Sequence, residues 1–308
     1  MKNYLTLLLL TIGSLGFAQQ MEYIQLDDSG SKTSFYMAMK PIQEAKGMLV
    51  LLPGFGQIPQ MVFPETKIPN IAYMNSLLTV IVAGGDKIYA DETVTNHLNR
   101  TLEDALKRYN IAPEKVIIGG FSAGGTIALR YVEKCMEKPD AYPIQPAAVF
   151  TVDSPIDLFE LWDYMERELD RDFSEAGTAE AKFVMNIMQQ ELGGSPYTHA
   201  ETYASLSPFQ VAEKNGHEKW LKDIPVRLYH DVDLIWLLKN RRRSAYDMNA
   251  APASELISRL LQMGNQQAEL MIAEQAGVRS NGQRHPHSWS IVNEPDFIQW
   301  AKQILFED

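Results

Sequence analysis

The sequence predicts an α/β fold: a mostly parallel central sheet with helices on both faces, and a helical insertion after the sixth strand. Three observations predict it. Short continuous apolar runs recur along the chain and end in Gly or Pro, as strands buried on both faces do. Amphipathic segments of helical period separate them, and strand–helix repetition implies parallel strands joined by right-handed crossovers. The chain has 308 residues, 45% apolar and 22% charged, enough to bury a substantial core as one folded domain.

The elements follow in order. Residues 1–18, "MKNYLTLLLLTIGSLGFA", hold a positive start at Lys2, an apolar stretch over Leu5–Leu15 and a small-x-small pattern at Gly16-Phe17-Ala18. This is the pattern of a secretory signal peptide cleaved after Ala18, since roughly a dozen apolar residues are too few to span a bilayer. The expected product is an exported domain, 19–308, periplasmic or secreted and without a stable membrane anchor. Residues 21–40 alternate around "DDSGSK" and predict a β-hairpin. Buried strands are expected at 47–56, 77–85, 114–121 and 146–155, and an amphipathic helix at 91–111 with Val94, Leu98, Leu102, Ala105, Leu106 and Tyr109 on one face. A second helix covers 124–138. The alternation then breaks: 157–215 is rich in Met, Phe, Tyr and Glu at helical spacing and predicts a lid-like insertion. Strands resume at 224–233 and 268–277, with a helix at 253–264 between them and a terminal amphipathic helix after "HPHSW".

Composition excludes some partners. The net charge of −11 disfavours nucleic acid and anionic membranes. The short run Arg241–Arg243 reads as a solvated helix face. Cys135 is the only cysteine, so no intramolecular disulfide forms, and its place on a helical stretch predicts a packed thiol. Nothing in the sequence sets an oligomeric state or calls for a cofactor.

The chemistry centres on Gly120-Phe121-Ser122-Ala123-Gly124, a G-x-S-x-G motif between a predicted strand and a predicted helix. A sharp turn there strains the serine backbone, needs small residues two before and two after, and exposes the hydroxyl at the carboxyl end of the sheet. The Ala123 N–H then points at a developing oxyanion. A phosphate loop is the rival, but its lysine is missing. A serine needs a base, and the base an orienting acid.

These residues resemble the α/β-hydrolase family, from "LLPGFG" to "HPHSW". The resemblance implies the order Ser, acid, His and an acyl-enzyme mechanism. The family's strand pattern P-x-x-x-x-H-G-x-x-D carries the acid in the loop that follows. Here Pro225 to Asp233 reads "PVRLYHDVD", one residue shorter in the turn, with Asp231 in place of the glycine. Asp233 is the first choice of acid and Asp231 the second; Asp153, after the preceding strand, is the third, since some members carry their acid there. Among the six histidines, His97 falls on a helix, His199 in the insertion, His217 in a polar loop and His230 at a strand end. His287, in "HSW" before the terminal helix, matches the family's ending and is the expected base, with His285 as alternative. The pair could also ligate a metal, although no third ligand is evident. The loop Pro53-Gly54-Phe55-Gly56 occupies the oxyanion-loop position, which makes the Phe55 N–H the second donor. Trp162, Tyr164, Phe183 and Trp236 are candidate pocket residues.

The resemblance therefore implies a serine hydrolase, with Ser122 as nucleophile, His287 as base and Asp233 as acid. Its expected substrate is a carboxylic ester on a small molecule or a polysaccharide. Two other readings stand beside it: a peptidase of the prolyl-peptidase type, and a non-catalytic binding protein on a hydrolase scaffold.

Overall fold

A computed structural model describes residue 19 and residues 21–27, 33–84 and 86–306. The leader read in 1–18 lies outside the described residues, as does most of the N-terminal hairpin turn. In chain order the elements are β1 (Met21–Gln25), β2 (Phe35–Met39), β3 (Gly47–Leu52), α1 (Ile68–Met74), β4 (Leu77–Val82), α2 (Glu92–Tyr109), β5 (Val116–Phe121), α3 (Ala123–Glu137), β6 (Ala148–Val152), α4 (Leu158–Arg171), α5 (Glu175–Leu192), α6 (Ala200–Leu206), β7 (Val226–Asp231), α7 (Leu234–Asn240), α8 (Ala250–Gln262), β8 (Ala268–Ala273) and α9 (Glu294–Phe306).

The strands form one sheet in the order β1-β2-β4-β3-β5-β6-β7-β8. The β1–β2 and β2–β4 pairs are antiparallel and the remaining pairs parallel. Strand alternation sorts each apolar run onto two faces. Met48, Val50 and Leu52 of β3 point to one core with Leu98 and Leu102 of α2, Leu129 and Val132 of α3 and Leu256 of α8. Leu49 and Leu51 point to the other with Ile68 of α1 and Phe297, Ile298, Ala301 and Leu305 of α9. This is why these strands carry no polar alternation: every residue of β3 and β5 is buried. Cys135 lies in the first core, 2% exposed, and burial pushes its thiol up to about 12.

The insertion builds a third core. Leu158, Leu161, Trp162 and Met165 of α4 pack on Ala181, Met188 and Leu192 of α5 and Tyr203 of α6, against Ile88 and Tyr89 from the loop after β4. Asp157 starts α4, accepting from the N–H groups of Phe159 and Glu160, and ties its entry to Val211 N–H.

Three details depart from expectation. The strands expected at 47–56, 77–85, 146–155, 224–233 and 268–277 stop at Leu52, Val82, Val152, Asp231 and Ala273. A helix, α7, begins at Leu234 with Asp233 as its N-cap. The arginine run divides: Arg242 is exposed as expected and Arg241 half-buried, but Arg243 is buried and its Nε donates to Glu168 at 2.8 Å.

Candidate active site

β5 ends at Phe121 and α3 begins at Ala123, so Ser122 alone makes the turn. Its backbone sits at φ 54° and ψ −126°, a region that costs a residue with a side chain about 1–3 kcal/mol. Its N–H donates to Val152 O at 2.9 Å, which locks the turn to the end of β6. A Cβ on Gly120 would lie 2.5 Å from Leu52 O, and one on Gly124 would lie 2.2 Å from Leu52 O and 2.4 Å from Pro53 O. The two small residues therefore let the elbow nest against the end of β3 and the loop that follows.

The loop after β8 carries His287 back to the serine. His287 Nε2 lies 2.9 Å from Ser122 Oγ, and the imidazole packs on the Phe121 ring with centroids 4.5 Å apart. Its Nδ1 lies 2.6 Å from Asp153 Oδ2. With Nδ1–H donating to the carboxylate, Nε2 keeps the lone pair that can take the serine proton. The carboxylate that meets His287 is thus Asp153 rather than Asp233. Asp153 follows β6 in a left-handed conformation, φ 44°. Its N–H donates to Tyr229 O at 2.8 Å, and its carbonyl accepts from Asn249 Nδ2 at 3.1 Å.

A second imidazole shares that carboxylate. His230, 1% exposed, places Nδ1 3.0 Å from Asp153 Oδ1. Each carboxylate oxygen receives one ring N–H, which fixes its plane and aims Oδ2 at His287. Burial works to raise the Asp153 carboxyl, but the charge of His287 and the hydrogen bonds from His230 and His287 outweigh it and hold the group well below the usual carboxylate range. In the sequence His230 stands out only as a histidine at a strand end, with no partner indicated. Its available signal is positional, since it stands next to last in β7, the strand beside the one that Asp153 follows.

Asp233 and Asp231 brace this architecture from outside. Asp233 Oδ1 accepts from Trp236 N–H at 2.9 Å, as the cap of α7, and Oδ2 pairs with Arg284 Nη2 at 2.8 Å. Asp231 accepts from Gln275 N–H at 2.9 Å and Gly277 N–H at 2.8 Å, and also pairs with Arg284 at 2.9 Å. Because α7 begins straight after β7, no free loop remains to carry Asp233 to His287. Both aspartates instead anchor the segment that leads to the histidine.

His285, the alternative base, supports His287 through its backbone: the His287 N–H donates to His285 Nδ1 at 3.1 Å. Burial, with the charges of His287 and Arg279, pushes the His285 imidazole down to about 3, so the folded protein holds it neutral, as this acceptor role requires. The unfolded chain binds its proton near pH 6.5. Between those values the unfolded state carries more protons, so stability is full above about pH 6.5 and falls as pH drops toward 3. His285→Asn keeps an acceptor near the Nδ1 position. The expected result is a smaller loss of unfolding free energy between pH 7 and pH 4 than in the wild type, by about 1–3 kcal/mol, read from urea unfolding at both pH values.

A cavity of about 620 Å³ opens above Ser122. Gly54, Phe55 and Ala123 line it beside the serine, and Tyr164, Phe183 and Trp236 line it as well. Trp162 instead belongs to the core of the insertion. Phe55 meets Phe183 edge to face at 5.5 Å. Gln57 closes the turn over Gly54, whose N–H donates to Gln57 Oε1 at 2.9 Å. The Phe55 N–H has no acceptor among the described residues. Ala123 is the first residue of α3, so its N–H has no intrahelical acceptor. Among the described residues no cluster of three or more His, Cys, Asp or Glu is arranged to hold a metal ion, and no helix is long and apolar enough to cross a membrane.

No family model and no curated protein sequence matches the chain. Solved structures match it in fold. An esterase of the bacterial hormone-sensitive lipase family aligns with a TM-score of 0.58 at 14% identity, over 93% of this chain and 85% of that one. The Pyrobaculum calidifontis esterase gives 0.56 at 13% identity, over 93% and 85%. The Pyrococcus horikoshii acylaminoacyl peptidase gives 0.55 at 14% identity, over 94% of this chain but 42% of the peptidase. This chain therefore spans less than half the length of that peptidase. The likeness is one of fold: the chain has the α/β-hydrolase fold, with a mostly parallel eight-stranded sheet.

Proposed function

We propose that the protein is a serine hydrolase that cleaves a carboxylic ester through an acyl-enzyme. The observation that carries this reading is the continuous hydrogen-bonded chain Ser122 Oγ, His287 Nε2, His287 Nδ1, Asp153 Oδ2, set in the floor of a cavity. His287 takes the serine proton as Oγ attacks the carbonyl, and Asp153 stabilises the imidazolium that forms. The N–H groups of Ala123 and Phe55 receive the oxyanion. When the tetrahedral species collapses, His287 returns the proton to the leaving alcohol. Water then repeats the sequence, giving up its proton to His287 and releasing the acid and Ser122. The esterases that share this fold support an ester as the bond. A peptide bond is the second reading, favoured by the peptidase with the same fold. Hydrogen bonding along the whole Ser–His–Asp chain speaks against a non-catalytic scaffold. Export stays part of the proposal on the strength of the leader read in residues 1–18, with a small-molecule or polysaccharide-linked ester as substrate.

The test is covalent. A fluorophosphonate is expected to label the protein stoichiometrically, and peptide mass spectrometry to place the adduct on Ser122. Turnover of 4-nitrophenyl esters with no adduct at Ser122 would reject the assignment.

A further inference from the structure

The charges lining the cavity do not balance locally. Each carboxylate there already has a cationic or imidazole partner. Asp153 holds His230 and His287 at 3.0 Å and 2.6 Å. Glu180 lies 3.7 Å from Arg243, Asp231 lies 2.9 Å from Arg284, and Asp247 holds Arg167 at 2.6 Å and Arg171 at 2.8 Å. Arg243 is matched as well, by Glu168 and by the Tyr164 ring 4.6 Å beneath it. Two cations remain. Arg241 donates one hydrogen bond, to Ser174 Oγ at 2.7 Å. Arg279 sits over the Phe121 ring at 5.5 Å. Among the described residues no carboxylate oxygen lies within 4.0 Å of either guanidinium.

Their position is as informative as their freedom. Phe121 immediately precedes Ser122, and its ring also carries the His287 imidazole at 4.5 Å. Arg279 therefore lies one aromatic ring away from the reacting atoms, a reach that a short dicarboxylic chain covers. Burial depresses the affinity of Arg279 for its proton; Glu65, Glu180 and Asp153 oppose this, and Arg241 adds to it. Both arginines line the same cavity, and an anion held there by Arg279 would gain charge-assisted hydrogen bonds and offset the repulsion from Arg241.

We infer that Arg279, with Arg241 beside it, forms a subsite for a carboxylate carried by the ester substrate. This deepens the serine-hydrolase reading and rests on it. The same cavity is lined by the aromatic side chains of Phe55, Phe183 and Trp236, so the substrate combines an apolar body with one anionic end.

Two ester pairs test it. 4-Nitrophenyl hydrogen adipate against 4-nitrophenyl hexanoate places the carboxylate on the acyl side. 4-Acetoxybenzoate against its methyl ester places it on the leaving side. The readout is the charged-to-neutral ratio of kcat/KM. Arg279→Gln is expected to lower that ratio about ten- to a hundredfold in one pair, the loss of a charge-assisted contact. Arg279→Lys should lower it less, Arg241→Gln should lower it in the same pair, and the responding pair identifies the side. A ratio unchanged in both pairs, with Ser122 still labelled by a fluorophosphonate, overturns the subsite alone. So does a lowered melting temperature of Arg279→Gln without a change in ratio, which would make Arg279 only a counter-charge to Glu65. If Ser122 is labelled but no ester turns over, labelling rates with hexyl and 5-carboxypentyl fluorophosphonates give the same ratio. No labelling at all overturns both the subsite and the reading beneath it.

Discussion

Asp153→Asn is expected to lower kcat/KM for an activated ester by about 10⁴-fold, while Asp233→Asn changes it less than threefold. The reason lies in which atoms face His287. An asparagine offers one carbonyl oxygen where Asp153 offers two, yet His287 Nδ1 and His230 Nδ1 both need an acceptor there. Wherever the amide NH2 faces His287, it favours the tautomer with the proton on Nε2. That nitrogen would then donate to Ser122 Oγ instead of accepting from it, and the negative charge opposite the imidazolium is gone as well. Asp233→Asn keeps the oxygen that caps α7 and weakens only the pair with Arg284, so its cost falls on stability, at about 1–3 kcal/mol for a largely buried charge-assisted contact. Both variants are checked by steady-state kinetics, with circular dichroism to confirm folding. A thousandfold loss in Asp233→Asn beside a nearly active Asp153→Asn would return the acid role to Asp233.

That contrast shows what the sequence could carry. The elbow was legible because its constraint is local. Gly120 and Gly124 stand two residues either side of Ser122, and each contacts backbone at the end of β3 that any side chain would strike. The two-faced sheet was legible for a similar reason, since β3 and β5 are apolar at nearly every position. The acid was not legible, because it depends on the register of two strands far apart in the chain. Val152 pairs with Tyr229 across β6 and β7, and this brings the next residues, Asp153 and His230, side by side at the strand ends. Neither residue states that register by itself. The turn after β7 looked like an acid loop in letters, but a helix begins there and uses Asp233 as its cap. Arg243 is a similar case: its neighbours in sequence suggest solvent, and Arg242 is indeed exposed, whereas Arg243 is buried beside Glu168 of α4 and Glu180 of α5.

Ser122→Ala and Ser122→Gly are both expected to reduce kcat by about five to six orders of magnitude and to abolish fluorophosphonate labelling, since each removes Oγ. They should part company in stability. At most sites with ordinary backbone angles glycine is the less stable of the two, because it loses more backbone freedom on folding, by about 0.5–1 kcal/mol in regular elements. Here the backbone stands at φ 54° and ψ −126°. That is close to the mirror image of a polyproline-like conformation, open to glycine and strained for a residue with a Cβ. Strain relief of about 1–3 kcal/mol exceeds the entropy term, so Ser122→Gly should be the more stable variant by about 1 kcal/mol, roughly 2 °C in melting temperature for a domain of this size. The His287 contact is lost in both, so it cancels in the comparison. Thermal melts of the two variants decide it. An alanine variant as stable as the glycine one, or more so, would mean that the strain stored at the elbow does not exceed the entropy term of about 0.5–1 kcal/mol. The reverse order would mean that the fold sacrifices stability at Ser122 to hold the hydroxyl where His287 can reach it.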